Sequence, residues 1–327
     1  MVWITKPFNS IMGHGHVVSH IFLIGIIWRM FFRLRRTLIP LTLVLIFGLS
    51  ACSSLFGTKP APTPVESTAT PLSPTATSQA MAATINGEGL TVVEYTAELA
   101  RYKSAQKALN KDVSDSDAGK AVLEDLIAQI LLEQGAKAAG HEISGSALQS
   151  RLDALAAQLG GADKLTQWES EHGYTDASFR IDLQRSIDAA WMRDKIIGAV
   201  PATADQVHVQ QILLYNANDA QNVLQQLKGG ADFSTLAAQY DPNAHGDLGW
   251  FPKGYLFDPN VEQAAFSLQV GQISDVIQTN VGYDIIKVLE RDPQHPLSPD
   301  AYLAMQEQAL RNWIAQQRAQ ANIVLAP

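Results

Sequence analysis

Apolar positions along the chain fall into three successive patterns. Two mostly apolar runs come first, Val17–Trp28 and Leu38–Ala51. Both are shorter than the stretch of about 20 residues that a membrane-spanning helix takes. From about residue 82 to residue 200 the apolar positions recur at helical spacing. Val122, Leu123, Leu126, Ile127, Ile130 and Leu131 form a broad stripe, with Glu124, Asp125, Gln129 and Glu133 placed off it. Earlier in this region Ile85 followed by Asn86-Gly87 predicts a short strand and turn. Thr91 with Glu94 three residues on has the form of a capping box that opens a helix. Gly140 reads as a stop, and Ser144 starts a helix carrying Leu148, Leu152, Leu155 and Leu159. Two more helices are predicted around 162–172 and 176–197, and Pro201 closes the series.

After Pro201 the spacing changes. Residues 207–214 read as a strand, 220–228 as a helix stopped by Gly229-Gly230, and 233–240 as a short helix. The glycine- and aromatic-rich stretch from His245 to Tyr255 predicts loop and short strand. A helical turn over 261–266 and two β-like runs, 276–279 and 283–289, complete the order β-α-α-β-α-β-β. Beyond Pro296 and Pro299 a last long helix covers 300–321. Its Leu303, Leu310, Trp313 and Ile314 need a partner surface, and the helical region supplies the obvious one. The pattern therefore predicts an α+β chain in which a helical domain, built from both chain ends, holds an inserted compact α+β domain.

Composition narrows the function. The 327 residues are 46% hydrophobic and 17% charged, which excludes wholesale disorder and a polytopic membrane protein. A single cysteine excludes a disulfide scaffold and any multi-cysteine zinc or iron–sulfur site. The net charge of −8 argues against a nucleic-acid partner. That charge is unevenly spread: residues 1–51 hold Lys6, Arg29, Arg33, Arg35 and Arg36 and no acidic residue. The remainder has 19 basic residues of the 24 against all 32 acidic ones, a charge of −13. Arg33, Arg35 and Arg36, the apolar run after them and Leu49-Ser50-Ala51 are the parts of a secretory signal, and Met30 could begin it by itself. His14, His16 and His20 lie in the stretch before Met30 and read as a chance cluster. Residues 57–80, GTKPAPTPVESTATPLSPTATSQA, bury too little to repay their ordering and read as a tether. Nothing in 82–200 forms a catalytic set; His141 and His172 stand isolated near helix ends. No metal or cofactor is expected.

Leu49-Ser50-Ala51-Cys52 resembles a bacterial lipobox, which implies that Cys52 is the first mature residue and carries lipid. The alternative is an ordinary cysteine ending an uncleaved anchor. Either way the protein is exported and held at a membrane, on its extracytoplasmic side. In the α+β part, QILL, GADFSTLAAQY, GDLGWFPKG, EQAAFSL, VGQISDVIQT and VGYDIIKVLERD stand in order over 205–292. Together they resemble the parvulin family of peptidyl-prolyl isomerases. With AATINGEGLTVVEY at the start, the helical region and a terminal helix, the whole resembles the SurA/PrsA type of exported foldase. The domains implied are a leader (1–51), a lipid anchor and tether (52–81), a SurA-like helical chaperone domain (82–202), a parvulin domain (203–292) and a C-terminal helix (293–327).

The resemblance also implies a site. A proline cup comes from Leu248, Leu256, Val261 and Phe266, with core packing as the competing role for each. The polar positions depart from the family. Where histidines usually stand, just before Ile-Leu of the first strand and in Gly-Tyr-His-Ile-Ile of the last, this chain has Gln211 and Asp284. Asp241 aligns with the family's active-site Asp or Cys when the gap in a shortened loop is placed before it. Gln211, Asp241 and Asp284 are thus the candidate catalytic residues, with Gln211 and Asp284 expected to pair across adjacent strands. His208 and His245, near those positions but not at them, read as solvated. The implied partners are unfolded or partly folded exported polypeptides, with the membrane reached through the N-terminal lipid. The implied activity is X–Pro isomerisation at a reduced rate. Two further readings stand beside it: a non-catalytic parvulin-fold holdase and a structural surface lipoprotein.

Overall fold

The computed structural model describes residues 80–326. The leader, Cys52 and nearly all of the tether lie outside them. The elements in order are β1 (Met81–Ile85), β2 (Glu88–Thr91), α1 (Val92–Ala108), α2 (Asp115–Ala138), α3 (Gly145–Leu159), α4 (Ala162–Glu171) and α5 (Asp176–Gly198). There follow β3 (Thr203–Leu214), α6 (Ala217–Lys228), α7 (Phe233–Tyr240), β4 (Asp247–Pro252), α8 (Pro259–Ser267), β5 (Ile277–Gln278), β6 (Tyr283–Pro296), α9 (Pro299–Gln320) and β7 (Ile323–Leu325). The α+β reading holds, with α1–α5 before β3 and, from β3 onward, the four-stranded sheet with α6–α8.

The described residues divide into two compact units. The smaller holds Gly89–Asp125. In it Thr91 opens α1 as its sequence predicts. The Thr91 hydroxyl accepts the Glu94 N–H at 3.1 Å, and the Glu94 carboxylate accepts the Thr91 N–H at 2.9 Å.

The larger unit holds Ala83–Glu88 and Leu126–Leu325. Its two sequence ends meet: β1 and β7 pair antiparallel with Ala83 opposite Leu325. Most of the α2 stripe is buried, but Glu133, placed off the stripe by the pattern, is buried too. It is tolerated there because Arg185 donates to it at 3.0 Å and the Lys137 ammonium lies 2.8 Å away. His141 is not isolated either. It stacks on Trp191 with centroids 4.4 Å apart, and its Nε2 lies 3.4 Å from the buried Asp188 carboxyl. Leu148, Leu152 and Phe179 form the core of α3 and α5, with Leu155, Leu165 and Trp168 packed on it. In α9, Trp313 lies against Gly135 of α2, and Gln306 donates to the Ile197 carbonyl at the end of α5. Leu303, expected to pack, is 51% exposed.

The sheet has order β4-β3-β6-β5, antiparallel throughout. Side chains alternate between its faces. On one face Ile212, Leu214 and Ile285 meet Val223, Leu224 and Leu227 of α6 and Phe233, Leu236 and Ala237 of α7. On the other, Val207, Val209, Phe251, Ile286 and Val288 meet Val261 and Ala265 of α8. β3 starts at Thr203, where the helical region was expected to end. β6 continues past 292 to Pro296.

Candidate functional site

The α8 face of the sheet turns polar at one end. Gln211 follows Val207 and Val209 on β3 at the two-residue period of that face. Asp284 precedes Ile286 and Val288 on β6 in the same way. The strands bring the two together, and the Gln211 side-chain amide donates to the Asp284 carboxylate. Asp284 is only 2% exposed. Burial pushes its pKa up. The Thr279 hydroxyl and the Gln211 amide pull it down, and the nearby charge of Asp258 raises it further.

The start of α8 stands beside this pair. The Asp258 carboxylate accepts the N–H groups of Asn260 and Val261 at 2.9 and 3.4 Å, and Pro259 takes a first-turn position where no N–H is needed. The Asn260 amide donates to the Gln278 carbonyl of β5 at 3.3 Å, and Ile277 of that strand is opposite Asp284. Val261 is thereby fixed in the core close to Asp284, with Leu256 packed against the same core. Leu248 sits on β4 between Gly249, opposite Val209, and Asp247, opposite Gln210. It is the extra residue at the register shift between Val209 and Gln210, and it is 36% exposed.

Asp241 and Phe266 are placed differently. The Asp241 carboxylate accepts the N–H groups of Asn243, Ala244 and Gly246 at 3.1–3.2 Å, and these amides hold its pKa below the usual carboxylate range. Gly246 lies directly on the Gln211 backbone, its carbonyl accepting the Gln211 N–H at 2.8 Å. A side chain at Gly246 would collide with the Gln211 carbonyl. Asp241 is therefore a loop-holding residue one step removed from the pair. Phe266 packs edge-on against Phe251, which is opposite Val207, with the Lys253 amine 5.2 Å from its ring centre. At about 3.4 Å per residue, Val207 is about 14 Å along β3 from Gln211. The structure thus pairs Gln211 with Asp284 beside the start of α8, packs Leu256 and Phe266 on the core that holds Val261, with Phe266 toward the Val207 end, and leaves Leu248 at the β4 bulge.

His208 is not a solvated side chain. It alternates with Val207 and Val209 and so belongs to the opposite face. There its Nε2 bonds Asp247 Oδ1 at 2.8 Å, and its ring packs on Trp250, which stacks on His295 at 4.0 Å. His245 is exposed, and its carbonyl accepts from the Gln210 amide at 2.7 Å. Trp250 is consequently turned away from the cup. Among the described residues no group of three histidine, cysteine or acidic side chains is placed to hold a metal, and no helix is long and apolar enough to cross a membrane.

Residues 214–290 match the family model described as the PPIC-type PPIase domain, and residues 69–167 match the SurA-like N-terminal domain. The chain carries a parvulin-type rotamase domain after a SurA-like helical domain. Among curated relatives, "Foldase protein PrsA" of a Geobacillus species is 30% identical over 189 residues, 55% of this chain and 66% of that protein. The protein of the same name from Halalkalibacterium halodurans is 27% identical over 229 residues, 61% of this chain and 68% of its own. The chain thus spans about two thirds of the length of these relatives. A crystal structure of peptidylprolyl isomerase (PrsA) from Bacillus cereus covers 72% of this chain and 83% of its own, at 20% identity and a TM-score of 0.40.

Two contributors to the parvulin-type site escape sequence reasoning. Thr279 acts on Asp284 from just past the end of β5. Glu262 accepts three backbone N–H groups of the loop that carries Leu256. A glutamate in the first turn of a helix is an ordinary sequence feature, and only the folding back of residues 254–256 gives it this task.

Proposed function

We propose that the chain is a membrane-anchored extracytoplasmic foldase that accelerates cis–trans isomerisation of X–Pro bonds in exported, unfolded polypeptides. The chemistry needs no nucleophile and no metal. The barrier of about 18–20 kcal/mol reflects amide resonance, and the uncatalysed reaction takes tens to hundreds of seconds. A catalyst has only to bind the twisted amide better than either planar form. Leu248, Leu256 and Val261 supply an apolar cup for the proline ring, and an apolar surrounding weakens the resonance that resists twisting. The Gln211–Asp284 pair stands beside it to steady the turning carbonyl. In its neutral form the Asp284 carboxyl donates an O–H; in its ionised form it repels the carbonyl oxygen.

The observation that supports this reading is the buried Gln211–Asp284 pair at the polar end of the sheet face on which Val261 and Leu256 pack, with Trp250 on the opposite face. The test is a proline-limited refolding assay on the chain beginning at Ser53, run beside Leu248→Asp and an aggregation-suppression assay. Acceleration that Leu248→Asp abolishes supports the foldase. Suppression of aggregation without acceleration supports the second reading, a non-catalytic holdase. That reading draws on the loss of both histidine positions and on the engagement of Asp241 by its own loop. Lipid attachment at Cys52 is the remaining part of the proposal. Labelling of expressing cells with a radioactive fatty acid is expected to mark the wild-type chain and not Cys52→Ser.

A further inference from the structure

The loop between β4 and α8 carries one wall of the cup, and one side chain accepts three of its consecutive backbone N–H groups. The Glu262 carboxylate accepts the N–H of Gly254 at 2.7 Å and those of Tyr255 and Leu256 at 3.1 Å each. Three consecutive amides converging on one carboxylate form an anion-holding nest, here filled from within the chain. Hydrogen bonds to an ionised acceptor are among the stronger ones available to a backbone. The same residue directly follows Val261, the buried wall of the cup, in the first turn of α8, where negative charge is favoured by the helix dipole. Glu262 therefore ties the Leu256 wall to the Val261 wall. Without it, residues 254–256 lose three anchors, while the Asp258 cap still starts the helix. The exposed flanks of the loop do not offer a replacement: Phe257 is 82% exposed and Tyr255 is also exposed.

We infer that Glu262 is a positioning residue of the isomerase site, fixing Leu256 against Val261 so that the cup is preformed before the proline enters. This rests on the isomerase reading of the cup. Because the Leu256 wall grips the proline ring, which keeps its shape while the amide bond turns, its displacement weakens ground-state and transition-state binding alike, raising KM and leaving kcat nearly unchanged. A merely structural role would instead reduce the folded fraction, lowering apparent kcat at constant KM.

The test uses the full chain in detergent micelles and a tetrapeptide with one Phe–Pro bond, comparing wild type with Glu262→Ala and Glu262→Gln. Glu262→Ala is expected to raise KM about tenfold, with kcat within about twofold of wild type. Glu262→Gln keeps an acceptor oxygen without the charge, and a rise of about threefold is expected. KM within about twofold of wild type in folded Glu262→Ala, or a fall in kcat at unchanged KM, overturns the inference. If Glu262→Ala does not fold, Glu262→Gln decides by the same criteria. If the wild-type chain does not isomerise the peptide, the isomerase reading fails. The positioning role is then judged by the peptide Kd from NMR titration, with the same ratios expected and the same thresholds overturning it.

Discussion

The two faces of the parvulin-type sheet use the same two strands to different ends. Under α6 and α7, β3 and β6 present Ile212, Leu214 and Ile285 to a closed core in which Val223, Leu224, Leu227 and Phe233 are all buried. Under α8 the same strands begin with Val207, Val209 and Val288 and end in Gln211 and Asp284. One face is built for cohesion. The other leaves its apolar pattern at one end and buries a carboxyl there, with Leu248 exposed at the neighbouring bulge of β4. Burying a carboxyl in place of an apolar side chain costs stability unless it is paired, so Asp284 is where the fold departs from what cohesion alone would select.

The largest expected effect separates the faces by stability. Phe233→Ala, on the closed face, is expected to lower unfolding stability by about 3–5 kcal/mol in denaturant titration. Leu248→Asp, at the open rim, is expected to lower kcat/KM for an X–Pro peptide by about tenfold or more, with stability shifted by less than about 1 kcal/mol. A stability loss at Leu248 as large as that at Phe233 would erase the distinction between the faces.

Asp284→Asn sharpens it through pH. The folded pKa of Asp284 lies above its unfolded value of about 3.9, because burial disfavours the charge. Its contribution to stability is thus fully present below the unfolded pKa and is lost as pH rises through the raised folded value. Asparagine keeps a hydrogen bond to Gln211 and does not ionise. The variant is therefore expected to gain stability relative to wild type as pH rises from 4 to 8, read by thermal melts across that range. Isomerase activity of the wild type is expected to fall as Asp284 ionises, whereas that of the variant stays level across the same range. The smallest effect belongs to Leu303→Ser, on the exposed side of α9, expected to change stability by less than about 0.5 kcal/mol.

Local signals were readable in the sequence where local physics decides. The capping box at Thr91 and Glu94 needs only neighbouring residues, and the α2 stripe needs only a period. The limits of β3 and β6 were not readable. Thr203–Gln206 is too polar to read as strand, yet it pairs with β6, and Gln206 is buried because its amide donates to the carbonyls of His295 and Pro296. The Asp292–Pro296 stretch lies beyond the predicted run 283–289, yet it continues β6. At the site, the pairing of Gln211 with Asp284 followed from adjacent strands once the family resemblance had placed them. The position of Phe266 did not follow, because motif order says nothing about distance along a strand. Nor did the environments of His141 and His208, each of which is set by partners far away in sequence, Trp191 and Asp188 for one and Asp247 for the other.

The central claim is that the Gln211–Asp284 end of the α8 face isomerises X–Pro bonds. Exchange NMR on a peptide with one such bond tests it most directly, by the rate of cis–trans interconversion with and without a catalytic amount of the chain. Cross-peaks between the two isomers that appear with the wild-type chain and vanish with Leu248→Asp are the result expected. Exchange no faster than for the peptide alone, or equal acceleration by Leu248→Asp, would contradict it.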